Sequence, residues 1–296
     1  MEPGLLAQLF RPKRIGALFG IPILVVPATL LFFGLLLVWA GQAAGIAGFG
    51  AAAALLAVLV ASLLAHELAH AMVARRLGLQ VLDITFQPLG GMARLSGMGA
   101  RAWVEGPVAL AGPVANLALG GVALLLPGVL AGQAAMLNLV LGVGNLLPSF
   151  PLDGGRVLRA FLARRSPVPD ATWAAVRFGS WVALAVFAAA TMLGAFLPGL
   201  LLAVYLWSMG KLELVQIFLR GGGTPTLRPG EVFARAFRRG PGAATPTDLG
   251  GHARAHEAPE VEAVAEKHDL EDFHGTLEEW FRRKAQDGGK SGGPGG

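Results

Sequence analysis

The apolar positions of this chain fall in long blocks rather than in alternation. Six stand out: Ile15 to Ala40, Ala51 to Arg75, Trp103 to Leu126, Gln133 to Leu147, Trp173 to Leu197 and Pro198 to Leu219. A helix rises about 1.5 Å per residue, so crossing a hydrocarbon core of ~30 Å takes about 20 residues. Most of the blocks meet that length. The fourth is short and is followed by Pro148 and Pro151, and only Leu197-Pro198-Gly199 separates the fifth from the sixth. The first exceeds a signal-peptide core and reads as a retained helix. Between the second and third blocks, Val81, Ile84, Thr85 and Phe86 favour extended backbone, Pro88 to Gly91 breaks it, and Met92 to Leu95 returns as a second strand. The expected fold is therefore an all-α polytopic membrane protein, with six transmembrane helices and a small β-hairpin between helices 2 and 3.

Composition changes after Arg220. Gly221 to Gly251 is rich in Gly, Pro and Thr and reads as a linker. Val261, Val264, Phe273, Leu277 and Phe281 recur at roughly helical spacing, so one or two short amphipathic helices are expected within 259–285. The expected domains are a membrane part, 1–220, and a cytoplasmic linker and tail, 221–296.

Of the 296 residues, 54% are hydrophobic and only 15% charged, with mean hydropathy +0.59. A soluble domain carries about a quarter charged residues, so the composition argues against a wholly cytosolic enzyme. There is no cysteine, which removes disulfides, thiolate metal sites and a Cys nucleophile together. The net charge of +5 does not point to nucleic acid, because the basic residues sort by topology. Arg11, Lys13 and Arg14 precede the first block. Arg75, Arg76, Arg94 and Arg101 lie between the second and third, and Arg156, Arg159, Arg164 and Arg165 between the fourth and fifth. The three opposite connections carry none, which puts both termini in the cytoplasm.

An ionisable group at bilayer depth is costly unless paired or hydrated, so it marks function. The second block contains His66-Glu67-Leu68-Ala69-His70. Residues i and i+4 share a helix face, so the two imidazoles can grip one metal ion while Glu67 beside them acts as general base on a water. Arg75 follows nine residues after His66, about 13 Å along a helix, which sets the site toward the cytoplasmic side of the bilayer. A third ligand is needed. His252, His256, His268 and His274 lie in the tail, and Glu105 and Glu213 near span ends read as interfacial. Asp153 lies between Pro148, Pro151 and Gly154-Gly155, and broken backbone at membrane depth is tolerated where it lines an enclosed cavity. It is well placed to meet the two histidines.

His66-Glu-Leu-Ala-His70 followed by Asn145-x-x-Pro-x-x-Pro-Leu-Asp153-Gly-Gly resembles the site-2 protease family of intramembrane zinc metalloproteases. Gly112-Pro113-Val-Ala-Asn116 and Pro88-Leu-Gly90-Gly91 are similar to two further family features, and the resemblance covers about residues 15–220. It implies one Zn²⁺ per chain on His66, His70 and Asp153, with Glu67 activating the water and Asn145 holding the substrate backbone. Asn116, Gly90 and Gly91 are further candidates for substrate contact. Small residues at 112 and 113 also permit close helix approach, and Asn116 can bridge helices. The implied substrate is a transmembrane segment of another protein, cut by regulated intramembrane proteolysis, with the lipid bilayer as the other partner. There is no room for the PDZ insertion or the paired CBS module that some relatives carry. A metal-transporting membrane protein or a non-catalytic relative is the alternative, and oligomeric state is left open.

Overall fold

The structure is a computed structural model that describes residues 5–88, 90–96, 102–219 and 225–237. The helices expected within 259–285, and the linker beyond 237, lie outside the described residues. The chain is mostly helical, with one small sheet. Four helical segments are long and apolar enough to cross a membrane: Gly45–Arg76, Val104–Leu124, Val168–Met192 and Phe196–Ile217. Pro27–Ala43 and Val129–Asn145 are shorter apolar helices.

The first expected span is corrected by the structure. After the short α1 (Leu5–Phe10), residues Lys13–Leu18 form β1 and Ile21–Val25 form β2. Phe19 and Gly20 have φ of 51° and 78°, the left-handed pair that closes a two-residue hairpin. The helix starts only at Pro27, whose fixed φ suits a first helical turn. Hydropathy misleads here because a short apolar strand and a stretch of buried helix look alike. β2 pairs in parallel with β3 (Gln80–Gln87), which pairs antiparallel with β4 (Gly90–Ser96), completing a sheet of order β1-β2-β3-β4. Arg94 reaches across to Asp83 and holds its carboxyl below the ordinary carboxylate range.

α2 (Pro27–Arg76) is assigned as one helix of 50 residues, so the loop expected near 41–50 is helical too. A straight helix of that length would run about 75 Å, more than twice the hydrocarbon thickness. Gly45, at φ 64°, breaks it. A Cβ on Gly41 would sit 3.6 Å from Phe49, which eight residues of straight helix would hold about 12 Å away, so the chain bends sharply between them. The sheet packs on the later half through Ile21, Ile23, Ala71 and Ile84.

Then follow α3 (Ala102–Leu124), α4 (Val129–Asn145), the short α5 (Asp153–Leu162), α6 (Val168–Met192), α7 (Phe196–Leu219) and α8 (Pro229–Phe237). α5 and α8 are absent from the hydropathy reading because each is short and carries polar residues, and α8 lies in the stretch whose composition reads as linker. It is held in place nonetheless: buried Asp170 accepts hydrogen bonds from the amides of Thr226 (2.6 Å) and Leu227 (2.7 Å), and Val232 enters a core with Phe150 and Leu162.

Large apolar side chains such as Trp39, Val122, Leu184 and Trp207 face outward, while Ser62, His66, Glu67, His70, Asn116, Asn138 and Asp153 are buried. That inverts the arrangement of a soluble domain and suits a lipid solvent. Glu105 is likewise buried: it receives a forked hydrogen bond from Arg159, which also pairs with Glu213 and lies over the Phe150 ring. Arg159 thus ties α3, α5 and α7 together around the segment that leads to Asp153.

Candidate metal centre

α2 carries His66 and His70 one turn apart, with ring centroids 4.6 Å apart and nearly perpendicular. Asp153 arrives from a remote part of the chain. α4 ends at Asn145, the backbone turns tightly through Leu146–Leu152, and α5 begins at Asp153 itself. Gly154 and Gly155 make that turn possible. A Cβ at 154 would lie 2.3 Å from the Leu146 carbonyl oxygen, and one at 155 would lie 2.8 Å from the Phe150 nitrogen. With no side chain at either position, the start of α5 tucks under the loop and swings Asp153 against α2. Its Oδ2 lies 3.0 Å from His66 Nε2 and 3.2 Å from His70 Nε2.

The far side of each imidazole is held by an acceptor. His66 Nδ1 donates to Asn116 Oδ1 at 2.9 Å, and His70 Nδ1 donates to the Val108 carbonyl at 2.6 Å. Protons fixed on Nδ1 leave both Nε2 lone pairs free to bind a metal, the usual outer support of a ligating histidine. One ligand atom from each of His66, His70 and Asp153 lies within 4.8 Å of the others, and all three residues are buried. The space between the imidazoles is kept open by Gly112 on α3, where a Cβ would come within 2.4 Å of His70 Nε2 and 2.5 Å of His66 Nε2. Two imidazoles and one carboxylate around a kept gap, with no thiolate, form a donor set that fits Zn²⁺ with a coordination position left open.

Glu67 points from the same helix toward β4. The Ala93 amide donates to its Oε2 at 2.9 Å, and Oε1 has no hydrogen-bond partner among the described residues. A Cβ on Gly91 would lie 2.7 Å from Glu67 Cγ, so only glycine leaves room for this carboxylate. A cavity of about 100 Å³ adjoins the centre, lined among others by Glu67, Gly91, Ala93, Asn145, Asp153 and Arg156. It holds several water molecules by volume. Of the remaining candidates, Asn145 lines this cavity while its amide donates to Leu141 of its own helix at 2.9 Å, and Gly90, at the start of β4, is not among the lining residues.

Two participants carry no motif. Asn116 Nδ2 donates to Asn138 Oδ1 (3.3 Å), and Asn138 Nδ2 donates to Ser62 Oγ and to the Ala134 carbonyl, both at 2.9 Å. A buried polar chain therefore runs from His66 on α2 through α3 to α4 and back to α2. A lone Asn or Ser in an apolar run was the available signal, and it does not name its partner. Asn116→Ala removes the acceptor that orients His66, so affinity for zinc is expected to fall roughly 10–100-fold. Competition against a chromophoric chelator measures this, and unchanged affinity would show that the ring holds its orientation without Asn116.

The profile of peptidase family M50 matches residues 54–133 and 128–187. A protein named as a zinc metalloprotease, Rip3 of Mycobacterium tuberculosis, is 39% identical over 153 residues, covering 46% of this chain and 39% of its own. Another so named, sll0528 of Synechocystis, is 35% identical over 169 residues, 50% of this chain and 44% of its own. The chain thus spans less than half the length of these curated relatives. A solved site-2 protease from Methanocaldococcus jannaschii superposes with a TM-score of 0.53 at 27% identity, over 69% of this chain and 95% of that one. Every one of these matches, together with the buried His66–His70–Asp153 group, points the same way: residues 54–187 carry the profile of peptidase family M50, and the chain is similar to proteins named as zinc metalloproteases and to a solved site-2 protease.

Proposed function

We propose that this protein cuts peptide bonds within or beside transmembrane segments of other membrane proteins, with His66, His70 and Asp153 holding one zinc ion and Glu67 serving as general base. The observation that carries the reading is the meeting of Asp153 with both imidazoles beside the Glu67 carboxylate, next to a cavity large enough for water.

His66, His70 and Asp153 would hold the zinc ion, which would supply a Lewis acid able to make water acidic near neutral pH. The protein residues do the rest. The Ala93 amide fixes one oxygen of Glu67, so the other faces the cavity, accepts the proton of the attacking water and passes it to the departing amine. Asn116 and the Val108 carbonyl hold both imidazoles in one tautomer through the cycle. A substrate helix hides its amides and must unwind before it can be cut. β4 is an edge of the sheet, and Gly91, Met92 and Ala93 line the cavity, so an unwound stretch can add to that edge as a further strand. Asn145 faces the same space.

Six membrane segments are proposed, counting Pro27–Ala43 and Val129–Asn145, with both termini cytoplasmic and the site toward the cytoplasmic side. The purified full chain in proteoliposomes is expected to cleave a model transmembrane substrate, to stop when a zinc chelator is added, and to recover when zinc is restored. Cleavage that persists at full rate under chelation would refute the metal-dependent mechanism.

A further inference from the structure

On the flank formed by α6 and α7 lies a cavity of about 390 Å³ that has no part in the metal centre. Its floor is apolar, made by Ala183, Leu184, Phe187, Leu200, Ala203 and Val204. The two helices run antiparallel and are joined by the short turn after Met192, so one end of the groove, at Phe187 and Leu200, lies toward that turn and the other, at Arg177 and Trp207, toward the start of α6 and the end of α7. Among the described residues of α6 and α7, cations lie toward the second end. Arg177 on α6 lines the groove, is exposed, and has no hydrogen-bond or ion-pair partner among the described residues. On α7 a Cβ on Gly210 would lie 3.4 Å from Val176, which sets the next residue, Lys211, near the level of Arg177; Lys211 lies just beyond the groove's lining, its Nζ 5.7 Å from the ring of Trp207, which lines it.

On each helix a tryptophan follows the cation one turn nearer the groove's middle: Trp181 four residues after Arg177, and Trp207 four before Lys211. Arg177 and Lys211 lie inside their spans, and long cationic side chains with tryptophans one turn deeper extend from such positions to the headgroup level. The carboxylates near this end are already engaged, since Glu213 pairs with Arg159 and Asp170 accepts the Thr226 and Leu227 amides. Two exposed positive groups thus meet no anion among the described residues.

From Arg177 to Phe187 is about 15 Å along the helix, which matches the hydrocarbon depth of one leaflet. The volume is far below that of a helix about 10 Å across, so a transmembrane peptide does not fit it, whereas an acyl chain does. We propose that this groove binds an anionic glycerophospholipid, with the phosphate between Arg177 and Lys211, Trp181 and Trp207 flanking the glycerol, and one acyl chain along the apolar floor.

The test is native mass spectrometry of the detergent-purified full chain, incubated with phosphatidylglycerol or with phosphatidylcholine of the same chains. Wild type is expected to retain one phosphatidylglycerol in preference to phosphatidylcholine. R177Q/K211Q is expected to lower that retention roughly tenfold, the scale of losing two charge-assisted contacts. Lys13→Gln, which removes a cation from β1, is expected to leave it unchanged. Ala203→Trp, which fills the floor, is expected to lower retention with both cations in place, so the tail is tested apart from the headgroup. Equal retention of the two lipids by wild type, or wild-type retention by R177Q/K211Q, would overturn the assignment. So would displacement by glycerol phosphate alone, which lacks the tail, or by a transmembrane peptide at one-to-one stoichiometry. None of these readouts depends on proteolysis, so the site stands or falls apart from the proposed activity.

Discussion

Glu67→Gln is expected to abolish cleavage of a transmembrane substrate while the protein still binds one zinc ion. The substitution keeps the shape and leaves the side-chain oxygen able to accept the Ala93 amide hydrogen bond. It removes only the basic oxygen that faces the cavity. Loss of a positioned general base costs roughly 10²–10⁴-fold in rate. The metal donors on His66, His70 and Asp153 are untouched, so zinc content measured on the same preparation is expected to match wild type. A metal-transporting protein would behave differently, since its ligands would tolerate the change with altered affinity and there would be no hydrolysis to lose. Retained cleavage in Glu67→Gln would remove this carboxylate from the chemistry. Simultaneous loss of zinc would instead make it a ligand.

What could be read from the chain divides along physical lines. Long apolar blocks show where helices meet lipid, because nothing but a helix or a closed barrel satisfies its backbone there. The same signal fails at residues 13–25, where apolar side chains serve a sheet: β2 alternates buried and half-buried positions over only five residues, too few to separate a period of 2 from one of 3.6. It fails again at α5 and α8, whose placement depends on Arg159, Asp170 and Val232 finding partners tens of residues away. Those partnerships are tertiary facts with no local trace.

The site divides in the same way. His66 and His70 are legible because helical spacing alone puts them on one face. The reach of Asp153 is hinted at by the breakers around it, and its distance to the imidazoles needed the fold. Asn138 and Ser62 carry no such hint. Each is a single small polar residue in an apolar run, and its task is set wholly by the helix that happens to lie opposite.

Gly112→Ala is expected to abolish zinc binding by adding one methyl group. In a motif of small residues the bland reading of Gly112 is close helix packing, yet the atoms it faces are not another backbone. They are His70 Nε2 at 2.4 Å, His66 Nε2 at 2.5 Å and His70 Cε1 at 2.6 Å from an ideal Cβ. The imidazoles cannot simply turn aside, because Asn116 and the Val108 carbonyl hold their opposite nitrogens, and both acceptors lie on α3 with Gly112 itself. Moving α3 away to relieve the clash therefore also withdraws the supports. Outer-support substitutions cost roughly 10–100-fold in metal affinity, and a methyl placed in the metal's own space is expected to exceed that range. Gly121→Ala provides the comparison on the same helix, since nothing lies within 4 Å of its Cβ and helix propensity favours alanine by up to about 1 kcal/mol. The Gly121 variant should carry one zinc per chain and gain thermal stability when zinc is added, as any specifically bound ligand stabilises the folded state. The Gly112 variant should fold, carry almost no zinc, and show no such gain. Wild-type zinc affinity in Gly112→Ala would mean that the ion sits somewhere other than between these two rings.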